Sequence, residues 1–492
     1  MAASILGRKL GGQCSIHVIE SPEPIFVGHA VATLPPFLEL LRFLGIDQND
    51  FIDKTQSTYR LAQRFVDWAS PGTSFWHPSG ALGALIERRP FYHFWHKARA
   101  AGLAPALEFF SLETAMAAAN RFIFPTNSLG VAQHMRYALH IDAGLAARYL
   151  RTVAERAGTI RLERKVVSVT RDERGNLDEL QFEDGGKLRA ELFIDNTPRG
   201  QLIGEFMECG WQDWKKWLPA DRIVAAPVPL ENARPPYMRV TAHSAGWSWR
   251  IPLQQTASVG HVYSSAHQGD AAALDALRTT AGADFLGEPR RSEFGAGRRE
   301  KFWDRNVVAL GNASGFLEPL VGSEMHLLSH ALFNLLDHFP DKQFDPANIA
   351  SYNSGIGEEF ERIRDFILLH YCLPRRDDSP FWQTFTAMAL PERLAQSIAM
   401  YQATGRIVQS GQEQFSDLDW FYIFAGIGIT PRDYDPLVDT VDFEQVKRLM
   451  LAISQKVSAD VAAAPTHDSF FATANVRLAG ARKAAVAAQV AG

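Results

Sequence analysis

Residues 1–20 read MAASILGRKLGGQCSIHVIE, and this stretch decides the fold class. Met1 to Leu10 is Ala-rich, with Ile5, Leu6 and Leu10 on one side, and predicts a helix that Gly11-Gly12 stops. Ser15-Ile16-His17-Val18-Ile19-Glu20 predicts a short buried strand ending in an acid, and Ser21-Pro22-Glu23-Pro24 a turn. Helix, strand and acid form the second half of a βαβ unit. Glu20 stands where a dinucleotide fold places the carboxylate that holds a ribose. The strand and Gly-rich turn that open such a unit are not in the sequence, which begins inside the helix.

A second piece lies far downstream. Val307-Val308-Ala309-Leu310-Gly311-Asn312-Ala313-Ser314-Gly315-Phe316 predicts a strand and a small-residue turn, with a helix at Met325 to Phe339 after it. Small residues let backbone approach a flat cofactor, and a helix that follows aims its positive end there. A third piece is Trp247-Ser248-Trp249-Arg250-Ile251-Pro252. Trp at i and i+2 of a strand puts both indoles on one face, where they form a wall.

Between these pieces, residues 91–125 carry two helical patterns, and His140-Ile141-Asp142-Ala143-Gly144 opens a helix to about Ala157. Residues 160–195 and 222–265 alternate as strands, and residues 346–460 are largely helical. The expected fold class is therefore α/β with a mixed sheet and an added, mostly helical subdomain. The expected division is 1–345 for the cofactor module, 346–476 for the helical subdomain packed on it, and an Ala-rich tail over 477–492.

Composition excludes several classes. The chain has 492 residues, 46% apolar and 21% charged, so there is ample surface to bury and disorder is excluded. Lys+Arg 50 against Asp+Glu 55 leaves a net charge of −5, without the basic excess that sequence-independent nucleic-acid binding needs. Apolar runs are broken well before the roughly 18 residues of a membrane span, and the N-terminus lacks a signal-peptide pattern. Cys14, Cys209 and Cys372 are few, odd in number and far apart, which suits reduced thiols in the cytoplasm. His326 and His330 have metal-ligand spacing but no evident third ligand, so no metal is expected. His93 and His96 read as packed or exposed structural residues, and no Gly-x-Ser-x-Gly elbow or Walker A loop occurs. Eleven Trp and 32 Phe suit a large core or a pocket for a flat ring.

Taken together, Gly246 to Pro252 with Val262-Tyr263-Ser264-Ser265, Leu310 to Leu320 (LGNASGFLEPL), His140 to Leu145, Leu192 to Asp195 and Arg364 to Tyr371 (RDFILLHY) resemble the flavin-dependent tryptophan halogenase family. So do Asp47 to Phe51, Arg64 to Trp68, His77 to Gly80 and Pro380-Phe381-Trp382. The pieces are collinear from residue 1 to about 385, and the Trp-x-Trp-x-Ile-Pro element is the most specific of them. The resemblance implies an FAD-binding, flavoprotein-monooxygenase-like α/β module with a mixed sheet packed against a mostly helical substrate subdomain. It also implies reduced FAD supplied by a separate flavin reductase, with oxygen and halide giving hypohalous acid. That acid travels to a lysine, assisted by a glutamate, beside an aromatic, indole-like small molecule. It implies cofactor contacts at Glu20, Ala143, Gly311, Ala313, Gly315 and Phe316, and a substrate side and tunnel at Trp247, Trp249, His77 and Pro78. The Trp pair separates flavin from substrate. No nucleic-acid or membrane partner is expected, and a homodimer is compatible with this reading.

The matching positions depart from the family in four places. Arg60 stands at the lysine position, and an arginine cannot lose its proton to become a chloramine, although it can still hydrogen-bond hypohalous acid. Val321 stands at the glutamate position and can neither accept nor relay a proton, and Glu324 sits beside the segment where the family binds halide. The segment Val27-Gly28-His29-Ala30 and the strand ending Asp195-Asn196-Thr197-Pro198-Arg199 also differ. Met1 falls inside the family's first helix, so an in-frame upstream segment carrying the Gly-rich turn is expected. Three functions stay open on this reading: halogenation with an altered site, flavin monooxygenation without halide, or a family member that binds without turnover.

Overall fold

The computed structural model describes residues 1–21, 30–103, 106–125, 134–230, 233–374, 376–407 and 413–471. The turn expected at 22–24, residues 27–29 and the tail over 477–492 lie outside these. The opening helix is Ala2–Leu10, with Ser4, Ile5, Leu6 and Gly7 buried, and the strand after it is His17–Glu20. That strand pairs in parallel with Ile160–Glu163, in the register Glu20↔Glu163. A second parallel pair joins Phe193–Asp195 to Val307–Ala309. Parallel pairing needs crossover connections, and here helices and antiparallel strands supply them.

The largest sheet has seven strands. Its order is Arg290–Glu293, Arg222–Pro229, Thr256–Tyr263, Gly246–Pro252, Tyr237–His243, Ala62–Val66 and Ser74–Pro78. The pair Tyr237–His243 with Ala62–Val66 is parallel and the others antiparallel, so the sheet is mixed. Trp249 faces Gly260 across the antiparallel ladder. A Cβ at Gly260 would lie 2.0 Å from the Trp249 ring, so the indole takes the space a side chain would fill. A third, three-stranded sheet has the order Ala30–Ala32, Ala138–Asp142, Thr58–Arg60.

This third sheet corrects one expectation. His140 does not open the helix but lies in the middle of Ala138–Asp142, because residues 138–141 are all buried between two flanking strands. The helix is Ala143–Arg156, capped by Asp142, whose carboxylate accepts from Leu145 N at 2.8 Å. A second refinement concerns the small-residue turn. Between it and the helix Glu324–Asp337 come a 3-10 turn at Gly311–Ala313, a short strand Gly315–Phe316 and another 3-10 turn at Pro319–Val321. Gly322, at φ +69°, ends the second turn in the left-handed region.

The region after residue 345 is helical as expected. Its longest element is Pro346–Cys372, which has Pro at its first position and is capped by Asp345. Residues 363–371 are buried along its whole circumference, which places that end of the helix inside the core rather than on a surface. One hydrophobic core runs from Ile5 through Trp247, Phe366 and Trp382 to Phe471, so the late helices close over the same interior as the sheets. Among the described residues, no helix is long and apolar enough to cross a membrane.

Candidate functional site

A cavity of about 2440 Å³ opens between the N-terminal helix, the strand His17–Glu20, the helix Ala143–Arg156 and the loop before Glu324. That exceeds the roughly 300–1,000 Å³ of an ordinary small-ligand cleft. The first residues of three helices line it: Ala2 to Ser4, Ala143 with Gly144, and Glu324 with Met325. Helix N-termini present free N–H groups and a positive dipole end. Those at Ala143 and Glu324, on one large cavity, suit a ligand that carries phosphate, and the residues present fit a dinucleotide such as FAD.

Glu20 lines the cavity. Its carboxylate accepts from Arg151 Nη2 at 2.8 Å and from Arg161 Nε at 2.7 Å, and all three residues line the cavity. The acid is thus held by two guanidinium groups that nothing in the local sequence pattern pointed to. Arg161 belongs to the neighbouring strand and Arg151 to the helix Ala143–Arg156, so only the tertiary pairing brings them together.

Trp249, Phe316, Asn312, Pro319 and Gly322 also line the cavity. Gly311, Ala313 and Gly315 sit behind this surface. A Cβ on Gly311 would lie 2.4 Å from Asn196 Oδ1, and one on Gly315 would lie 2.6 Å from the Phe360 ring. These small residues let the loop pack against the rest of the protein, while Asn312 and Phe316 face the open space. Arg299 fastens the same loop: its guanidinium donates to the carbonyls of Ala313, Cys209 and Arg199.

Trp247 and Trp249 point to the same side of their strand, with ring centroids 5.9 Å apart and planes tilted by 52°. Trp249 lines the cavity, whereas Trp247 is fully buried behind it. Next to Trp247 lie Tyr371 and Glu318. Burial pushes the Glu318 carboxyl up to about 7, while the facing Tyr371 and Trp247 side chains pull it down.

Arg60 is buried at the end of the strand Thr58–Arg60, and burial pulls its guanidinium down to about 10. It donates from Nη1 to the Thr33 carbonyl and from Nη2 to Gln63 Oε1 at 3.2 Å, and Gln63 Nε2 in turn donates to the Leu320 carbonyl at 2.6 Å. This chain of bonds ties Arg60 to the 3-10 turn that carries Val321, which is 1% exposed. The structure thus links Arg60, through Gln63, to the turn that holds Val321. A methyl group placed on Gly322 would come within 3.6 Å of Arg60 Nη1, so the cavity wall at Gly322 borders the guanidinium.

His77 and Pro78 end the strand Ser74–Pro78. His77 Nε2 meets Asp419 Oδ1 at 2.8 Å, and its ring lies against Phe366 and Tyr422 at 5.9 and 6.5 Å. Asp419 sits 342 residues away in the chain, and no sequence spacing could have found it. His326 Nε2 meets Glu359 Oε1 at 2.7 Å. Among the described residues no group of three or more His, Cys, Asp or Glu could hold a metal ion.

An α/β chain with a large cavity lined by helix N-termini and by one of two paired tryptophans has the form of a cofactor-dependent oxidoreductase. Comparison with known proteins makes the class specific. The family model described as tryptophan halogenase matches residues 1–443, and the chain belongs to that family. Tryptophan 7-halogenase RebH of Lentzea aerocolonigenes is 30% identical over 468 residues, covering 88% of each chain. A flavin-dependent halogenase from Xanthomonas campestris superposes with a TM-score of 0.92 at 36% identity, covering 96% of this chain and 94% of that one. One from Brevundimonas sp. BAL3 gives 0.91 at 37% identity, covering 96% of each. The chain resembles FAD-dependent tryptophan halogenases, and the family implies FAD binding.

Proposed function

We propose that this protein is an FAD-dependent halogenase of aromatic small molecules that works with Arg60 in place of the usual lysine. One observation carries the reading: the wall of the cofactor cavity at Gly322 borders the Arg60 guanidinium. An oxidant made in the cavity therefore has a fixed cation waiting one residue's thickness away. The helix N-terminus at Ala143 would hold phosphate, Glu20 with Arg151 and Arg161 would frame the ribose, and Phe316, Asn312 and Trp249 would meet the ring system. FAD, reduced by a separate flavin reductase, supplies the electrons that activate oxygen. Arg60 then orients the oxidised halide by hydrogen bonding, since it cannot form a chloramine. Trp249 and Trp247 keep the aromatic substrate off the cofactor. Residues 346–471 cover the substrate side from the core outward, a flavin reductase is the partner, and the cytoplasm is the compartment that suits reduced cofactor and free thiols.

Glu324 favours a second reading. It lines the cavity, and burial pushes its carboxyl up to about 7. Once ionised, a carboxylate there repels halide, which suits monooxygenation without halide. The two readings separate in one assay. The protein is given FAD, a flavin reductase, oxygen, an electron-rich indole, and bromide or chloride. Halogenated indole supports the first reading, and a hydroxylated product that forms without halide supports the second. Peroxide release with neither product would mean that aromatic chemistry is absent.

A further inference from the structure

Arg60 and His140 lie on one face of the three-stranded sheet, and each carries a buried polar atom without a partner. In the antiparallel register Thr58 faces His140 and Arg60 faces Ala138, so His140 and Arg60 are diagonal neighbours on the face they share with Thr58. Thr58 Oγ1 donates its single proton to the Pro252 carbonyl at 2.7 Å. Toward His140 Nδ1, 3.1 Å away, it can then only accept. Nδ1 must therefore carry the imidazole proton, which leaves Nε2 with a lone pair. His140 Nε2 is buried and without a hydrogen-bond partner, and so is Arg60 Nε, an obligate donor. Burial, with the neighbouring Arg60 cation, holds His140 well below its usual range, so the ring stays neutral and the lone pair stays free.

A donor and an acceptor on diagonal neighbours of one sheet face, both buried and neither satisfied, cost stability unless something bridges them. We propose that Arg60 Nε and His140 Nε2 together seat one small hydroxylic molecule, whose oxygen accepts from arginine while its hydrogen is donated to histidine. In the resting protein this molecule is water. In turnover it is hypohalous acid, an extension that rests on the proposed function. The pair supplies a donor and an acceptor where the family has lysine and glutamate, and His140 provides the acceptor that Val321 lacks.

Nitrogen-15 NMR of histidine-labelled protein without FAD tests the seat independently of any activity. The expected result is neutral His140 with Nδ1 protonated from pH 5.5 to 8, plus a water cross-peak to its ring proton that Arg60→Met removes. A proton on Nε2, or a cross-peak unchanged in Arg60→Met, overturns the proposal. Two substitutions then separate seat from scaffold. His140→Asn keeps a donor toward Thr58 but loses the distal acceptor, whereas His140→Gln keeps an acceptor near Nε2 and loses the Thr58 bond. The expected outcome is that His140→Asn lowers the ratio of halogenated indole to oxidised halide by roughly tenfold, the weight of one hydrogen bond. The lost oxidant should appear in a 1,3-diketone trap, with His140→Gln close to wild type. The reverse order, with activity following melting temperature, would make His140 purely structural. Absence of any oxidised halide in wild type would refute the proposed function and the hypohalous acid extension, leaving the water seat to stand or fall on the NMR result.

Discussion

Arg60 is the residue on which the proposed chemistry turns. Its two Nη groups are committed to Thr33 and Gln63, so the guanidinium is held as a rigid fork rather than a mobile amine. Val321 beside it offers no proton acceptor. Arg60→Lys with Val321→Glu should therefore create or raise halogenation of an electron-rich indole, and the two changes should be non-additive because both act on the same oxidant. Lysine loses its proton in a dry site where arginine does not. Product yield of both single variants and the double variant checks this; a double variant no better than wild type would show that arginine alone suffices. Glu324 gives a second expectation at this scale. Its carboxyl, raised to about 7, is neutral below that pH and charged above it. The KM for bromide should rise as pH rises through 7, and Glu324→Gln should flatten that rise. A bromide KM independent of pH in wild type would show that Glu324 does not face the halide.

Among the elements, the strand Gly246–Pro252 was legible from its residues because alternation put both tryptophans on one face, and the structure keeps them there. What made room for Trp249 was not legible: Gly260, eleven positions on, faces it only because of the hairpin register. Gly260→Ala should destabilise the protein by about 1–3 kcal/mol through overpacking, and adding Trp249→Phe should return part of the loss. Thermal unfolding of the three variants checks it; equal losses from Gly260→Ala in both backgrounds would mean that the indole is not the obstacle. The same logic explains what else the sequence hid. Helix and strand at residues 1–20 follow from local periodicity. The Glu20 clamp by Arg151 and Arg161, the Gln63 link from Arg60 to Leu320, and Asp419 at His77 arise from contacts between distant segments. His140 was misread for a related reason. The residues Ala138 to Ile141 are apolar enough for either element, and it is pairing with Ala30–Ala32 and Thr58–Arg60 that makes them a strand.

The whole molecule buries ionisable groups of both kinds, and their balance sets its response to pH. His93, His96, His261, His370 and His467 are pushed down to about 4, 3, 4, 3 and 4, chiefly by burial. These rings are neutral in the fold and charge more readily when unfolded. Their contribution is therefore fully present above the unfolded value near 6.5 and is lost as pH falls below it toward 3. Glu113, Glu318 and Glu324 are pushed the other way, each to about 7 by burial. Their contribution is fully present below the unfolded value near 4.5 and is lost as pH rises toward 7. Between 4.5 and 6.5 the unfolded chain binds more protons through five histidines than the folded chain gains through three carboxyls. Stability should then rise with pH up to about 6.5. Above that the histidine contribution is complete and constant, and the carboxyls alone draw stability down until they too are ionised. Melting temperature measured from pH 4 to 9 should show a maximum near pH 6.5, steep on the acid side and shallow on the other. Glu318→Gln should lift the alkaline side alone, because a neutral amide needs no proton to stay buried. A maximum at pH 8 or above would mean that the buried carboxyls are ionised in the fold and paired with groups that hold them so.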